Sequence, residues 1–368
     1  MIGEVVTYEK NLPGQPYVID PATFAQLSNH FFKSYPGIAW PGLSQKATQQ
    51  IDKYGIVSTI HIFFEGTLTG VGGAAAATSG FPWRLISEAR VSANGISNLF
   101  DCDGIDLRAL ARVRRGKSLA DENVFGLPTG IGNVQTLRLH WEIPLAIDEV
   151  ANLGAVLAQT DDNNLSVRIT TAAAADLFSA NAPTIAGTFT IGVSAYEIPE
   201  TTQNGRSVLV IPDLRQMHGL VTRDDVLVAT GQFVTPLTKT GGLLLRTLQR
   251  IDNAPPNFGN ADWLTDAVTE HFFRFNSKEV PYDYEPAWIL RFLNEAAYSQ
   301  ALLPSADVPA GLTAPAYVCD DYVNVLAMRD VVNMAAVSQP EIVNNITAGF
   351  ALNAGAKVHT VQEAMLTG

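Results

Sequence analysis

Four glutamates stand in strand-like sequence: Glu65, Glu88, Glu142 and Glu197. Two carboxylates facing each other from neighbouring strands are what a β-sandwich glycosidase uses, one to protonate the leaving oxygen and one to activate water or attack carbon. The sequence brings no two of the four to a working separation. A jelly-roll carbohydrate-binding protein or glycosidase therefore stands as the alternative reading. Ser194, in Gly192-Val193-Ser194-Ala195-Tyr196, comes near a nucleophile elbow. The second glycine is missing, however, and the serine lies inside a period-two strand rather than on a sharp strand-to-helix turn. A strand residue is the better reading.

Six histidines, His30, His61, His140, His218, His271 and His359, are scattered with no His-Glu-x-x-His arrangement, and each reads as an ordinary imidazole. Asp101-Cys102-Asp103-Gly104-Ile105-Asp106 and Thr160-Asp161-Asp162-Asn163-Asn164 offer oxygen ligands for calcium but lack the glycine and distal glutamate of an EF-hand loop. Turn formation and helix capping explain them better. Gly70-Val71-Gly72-Gly73-Ala74 follows a strand, as a phosphate-binding loop would, yet Thr78-Ser79-Gly80-Phe81-Pro82 leaves no room for the helix whose N-terminus the phosphate needs. A hairpin loop is expected. Arg108, Arg112, Arg114, Arg115 and Lys117 form the one dense basic run. A solvated helix face is the favoured reading; the sharper one is a charged contact to an acidic neighbouring subunit or to anionic lipid. No catalytic, cofactor-binding or metal-ligating residue is assigned.

Composition bounds what remains. A chain of 368 residues exceeds one ordinary core and suits two domains. Hydrophobic residues are 47% and charged residues only 16%, which implies that much of the exterior is covered by partners. The net charge of -12 argues against direct nucleic-acid binding, because phosphate neutralisation needs clustered Lys and Arg. Cys102 and Cys319, the two cysteines, read as buried and unpaired. The N-terminal residues lack the pattern of a signal peptide, and no apolar run reaches the roughly 18 residues that a membrane span needs.

The elements that must position these groups are mostly strands. Residues 1–50 read as an N-terminal arm with one helix from Pro21 to Phe32, entered through Asp20-Pro21. Strands rich in β-branched and aromatic residues are expected at 56–64, 83–91, 134–143, 165–171 and 187–196, with a helix from Asp106 to Arg115 between the second and third. Polar Ile198-Pro199-Glu200-Thr201-Thr202-Gln203-Asn204-Gly205 marks the boundary between a first domain, 51–200, and a second, 201–368. The second repeats the order: strands at 207–212, 225–234 and 243–251, then helices, one of them carrying Trp288, Leu290, Phe292, Leu293 and Ala296, then strands from Ala316 onward. The fold class expected is all-β, two consecutive jelly-roll β-sandwiches with helices in inter-strand insertions.

Leu139-His140-Trp141-Glu142-Ile143-Pro144-Leu145-Ala146, then Leu153-Gly154-Ala155-Val156-Leu157-Ala158 and Leu165-Ser166-Val167-Arg168-Ile169, resemble the corresponding stretch of tectivirus-type double jelly-roll major capsid proteins. Tyr54-Gly55-Ile56-Val57 resembles the opening of that family's first barrel, and Asn204-Gly205 before Val208 to Leu214 the entry to its second. Trp288 followed by Ala316-Tyr317-Val318-Cys319-Asp320 is similar to its late helix and strand. The resemblance runs in order over most of residues 54 to 320, and the weight lies in that order. It implies a non-enzymatic coat protein in the virion capsid, assembled in the host cytoplasm. It further implies a homotrimer forming a pseudo-hexagonal capsomer of an icosahedral shell, in a bacteriophage with an internal membrane. The partners implied are neighbouring capsomers, minor vertex or cement proteins and membrane lipid. The loops 116–133 and 253–259 are the candidates for outer or interface loops. The short helix at 21–32, without a basic cluster, departs from the longer membrane-proximal helix of the family.

Overall fold

A computed structural model describes residues 17–19, 21–78, 80–93, 96–115, 126–147, 153–159, 164–203, 206–214, 216–238, 241–253, 267–276, 279–298, 317–323 and 331–367. Most of the loops 116–133 and 253–259, and residues 160–163, Asn204, Gly205 and Lys117, lie outside them.

The first outer sheet is built on Ile56–Thr69, a 14-residue strand hydrogen-bonded along most of its length to Val134–Pro144 on one side and Thr184–Tyr196 on the other. Its sequence alternates as a half-buried strand should: Ile60, Ile62 and Phe64 are buried, while His61, Phe63 and Glu65 face outward. The buried set packs against Ala89 and Val91 of Ile86–Ala93 and Val167 and Ile169 of Ser166–Thr171, which belong to a second sheet. That facing pair is the first jelly-roll sandwich.

The second sheet is shared by both halves of the chain. Its order is Lys46–Gln50, Ser166–Thr171, Ile86–Ala93, Ile96–Cys102, Gln216–Val226, Lys357–Thr367, Leu243–Asp252, Val318–Asp321. The first four strands come from the N-terminal half and the last four from the C-terminal half. They join where Leu220 pairs with Phe100 in the sheet's parallel contact. A second outer sheet, Gly231–Pro236, Glu341–Ile346, Val268–Phe275 and Glu279–Tyr284, packs on the C-terminal part. There Ile251 and Val358 meet Val268 and Ile346, and Leu244 meets Phe273 and Ile342. The fold is a double jelly roll whose two sandwiches are fused through one sheet.

Several elements differ from expectation. The helix expected to run to Phe32 ends at Leu27, and His30–Ser34 is a strand on the edge of the first outer sheet. Lys46–Gln50 is likewise part of the shared sheet, so residues 30–50 are woven into the first half. Trp83–Leu85 is a turn of 3₁₀ helix before the strand Ile86–Ala93. The single strand expected over 225–234 is two, Gln216–Val226 and Gly231–Pro236. Within the expected polar boundary segment Glu200–Gln203 is a strand, antiparallel to Arg206–Pro212, onto which Tyr17–Ile19 adds in parallel.

Candidate functional site

The helix Gly104–Arg115 follows directly from Ile96–Cys102, the last first-half strand before the junction. Its start therefore lies against the C-terminal half. The Asp106 N–H donates to Asp103 Oδ1 at 2.8 Å and the Asp103 N–H to Asp106 Oδ2 at 3.0 Å, a reciprocal cap. The remaining oxygens reach across the seam. Arg250 donates from Nη2 to Asp103 Oδ2 (2.7 Å), from Nη1 to Asp106 Oδ1 (2.8 Å) and from Nε to Asp252 Oδ1 (3.1 Å). The Tyr317 hydroxyl donates to Asp106 at 2.7 Å and accepts from Arg250. His359 lies between Asp106 (2.9 Å) and Asp224 (2.5 Å), and Lys357 bonds the same Asp224 at 2.6 Å.

These charges are out of water: Arg250, Asp106 and Asp252 are 1% exposed or less. Burying an isolated charge costs several kcal/mol, so the cluster holds only because each charge meets an opposite one. Burial would raise the Asp103 carboxyl, yet Arg250 and His359 outweigh it and hold it at about 2. Burial and the Arg250 charge press His359 down, but Asp106 and Asp224 raise it to about 9. Both ring nitrogens face carboxylates, so the ring is an imidazolium.

A second cluster lies at the other end of the same helix. Glu363, fully buried, bonds His218 at 2.9 Å and Arg246 at 2.9 Å, with Arg114 Nη1 3.6 Å away. Arg114 also donates to the Ala146 and Ile147 carbonyls at 2.7 and 2.6 Å. Burial would raise Glu363, but Arg246 and His218 hold it far below the usual carboxylate range. The helix thus spans the seam between two ion clusters.

The described part of the basic run, Arg108, Arg112 and Arg114, is not the solvated face expected. Arg108 and Arg112 are 5% exposed, and the Arg108 guanidinium lies 3.8 Å over the Trp83 ring. Leu107, Leu110 and Val113 are buried as well, so Arg108 is spent on a ring and Arg114 on carbonyls and a carboxylate inside the molecule. The histidines are not scattered in space either. His218 and His359 join the seam clusters, and His271 lies between Asp320 (2.9 Å) and Asn344 (2.6 Å). His61 and His140 meet Glu142 and Ser194 on the outward face of the first outer sheet. His30 packs edge-on against Tyr196.

Each of the four glutamates is engaged with other side chains. Glu65 is paired with Arg138, and Glu88 with Arg90, Arg168 and Thr170. Glu197 accepts from Asn29 and Tyr54. Glu142 registers opposite His61, four residues along the strand from Glu65, about 13 Å at roughly 3.3 Å per residue. That exceeds the about 5 to 9.5 Å between glycosidase carboxyls. Asp101 pairs with Arg90 at 2.7 Å. The Gly70–Ala74 loop leads to the short strand Ala76–Ala77 and is tied down by bonds between Gly70 and residues 132 and 133, so a strand, not a helix N-terminus, follows it. Ser194 lies within the strand Thr184–Tyr196, and Cys102 and Cys319 are buried free thiols.

Sequence reasoning missed Asp224, Arg246, Arg250, Asp252, Tyr317 and Glu363. A faint signal existed: His359, Val361 and Glu363 fall at period two on one face of the strand Lys357–Thr367, and all three are buried.

No family model matches the chain, and no curated protein matches it. Solved structures do. The chain is similar to the STIV MCP, with 15% identity, a TM-score of 0.66, and 92% of this chain and 97% of that one covered. It is similar to a chain of the PBCV-1 virus capsid at 9% identity and a TM-score of 0.59, covering 92% and 94%. With the major capsid protein P2 from Bacteriophage PM2 it shares 11% identity and a TM-score of 0.51, covering 92% and 98%. At such identities the likeness is one of fold.

Proposed function

We propose that this chain is the major capsid protein of an icosahedral virus and that its task is structural. The observation that carries this is the architecture: two jelly-roll sandwiches side by side in one chain, fused through a shared sheet, over nearly the whole length of capsid chains. The finer reading is a homotrimer. Two sandwiches per chain, residues 51–200 and 201–368, give a three-fold assembly six similar edges, which fills a hexagonal lattice. Neighbouring capsomers, minor vertex or cement proteins and the lipid of an internal membrane are its partners in this reading, and a bacteriophage its source. The low charged fraction, together with exposed Leu27, Phe32, Tyr54, Val228 and Trp288, suits a subunit whose faces are covered on assembly.

Light scattering on the purified chain tests this. A mass of three chains, with pseudo-hexagonal particles or lattices in electron micrographs, is the expected result. A stable monomer that binds or cleaves a glycan would overturn it in favour of the sugar-directed reading.

A further inference from the structure

The outward face of the first outer sheet carries a cluster of three metal-ligating side chains, His61, His140 and Glu142. His61 registers directly opposite Glu142, and His140 is two residues before Glu142 on the same strand, so all three side chains leave the sheet on one side. His61 Nδ1 is 3.0 Å from His140 Nε2 and 3.7 Å from Glu142 Oε1, and His140 Nε2 is 3.9 Å from the same oxygen. A triangle with those sides has a point roughly 2.1 Å from all three corners, against zinc bonds of about 2.0–2.2 Å to imidazole nitrogen and carboxylate oxygen.

The surroundings fit the same ion. His61 Nε2, the nitrogen turned away from the cluster, lies 3.0 Å from Ser194 Oγ, the kind of outer partner that fixes a ligating ring and its tautomer. Phe63 stacks on His140 at 4.6 Å with planes 9° apart, and Phe32 packs over His61 at 5.7 Å. The side chains of His61, His140 and Glu142 are 14%, 31% and 11% exposed, sheltered yet reachable from solvent.

We propose that His61 Nδ1, His140 Nε2 and Glu142 Oε1 bind one divalent transition-metal ion, Zn²⁺ fitting best, with a fourth position open to solvent. Two imidazoles and a carboxylate suit Zn²⁺ and Co²⁺ over Ca²⁺ or Mg²⁺, which prefer all-oxygen shells. The ion would tie Ile56–Thr69 to Val134–Pro144 across the sheet. This assignment rests on the side-chain geometry alone and stands apart from the capsid reading.

The test is titration of the full-length, chelator-treated chain with Co²⁺, followed by displacement with Zn²⁺. The intense visible bands of four-coordinate Co²⁺, saturating at one ion per chain and abolished by Zn²⁺, are expected. His140→Phe keeps a ring against Phe63 and should weaken binding at least about 100-fold, while Ser194→Ala weakens it about tenfold. Should His140→Phe lose its native circular dichroism, Glu142→Gln takes its place, with the same loss expected. The proposal is overturned if the wild-type chain takes up no stoichiometric Co²⁺, or if a folded ligand variant binds as tightly as the wild type.

Discussion

His359 carries a charge inside the seam, and that makes stability depend on pH in a direction the contacts decide. Its folded pKa is about 9, against about 6.5 for an unfolded histidine. A raised pKa means that the contribution is fully present below about pH 6.5 and is lost as pH rises through about 9. Asp103 works in the opposite sense. Held at about 2 against roughly 3.9 unfolded, it contributes fully above the latter value and its contribution is lost as pH falls toward 2. Both contributions are therefore complete between about pH 4 and 6.5. Thermal melts of the wild type should show the midpoint falling between pH 6.5 and 9.5, and His359→Gln should flatten most of that fall. An unchanged slope in the variant would show that the imidazolium is not the source. None of this was legible in the sequence, where His359 stands 253 positions from Asp106 and reads as a lone imidazole.

At the scale of elements, the helix Gly104–Arg115 holds its place through an absent side chain. A Cβ on Gly104 would lie 2.2 Å from the Trp83 carbonyl oxygen and 2.8 Å from the Trp141 indole nitrogen. Glycine to alanine inside a helix normally gains up to about 1 kcal/mol. Here the clash reverses the sign, because overpacking a tight site costs about 1–3 kcal/mol and the obstacle is backbone. Gly104→Ala should therefore lower the denaturation midpoint in urea, and a gain in stability would show that the helix can slide. The strands of the first half were readable because their inward and outward positions alternate cleanly, as from Ile60 to Glu65. The second half was harder for a physical reason. Gln216–Val226 carries His218, Arg223, Asp224 and Asp225, and His218 is wholly buried against Glu363, so the apolar alternation that announces a strand is broken by ion pairing. Val268–Phe275 hides the same way behind His271. The expected Asp106–Arg115 helix was found two residues longer, but its arginines read as solvated because periodicity reports amphipathicity and is silent on buried salt bridges.

Across the whole molecule, the seam decides whether two sandwiches behave as one body. The halves share a sheet through the pairing of Leu220 with Phe100, and the helix from the first half meets Arg250, His359 and Glu363 from the second. Removing one partner of a buried pair costs about 3–5 kcal/mol because the other charge is left without compensation. Splitting the halves would strand several such charges at once. Partial unfolding of one half is therefore more costly than its own core suggests, and the chain should melt in one transition despite exceeding the size at which domains usually separate. Calorimetric and van't Hoff enthalpies should agree for the isolated subunit, and the near-ultraviolet signal of buried Trp83 and Trp141 should change together with the loss of second-half strands. Arg250→Met removes the cation that bridges Asp103, Asp106 and Asp252, and should lower the midpoint and split the transition in two. A variant that still melts in one step with unchanged enthalpy would show that the shared sheet alone couples the sandwiches.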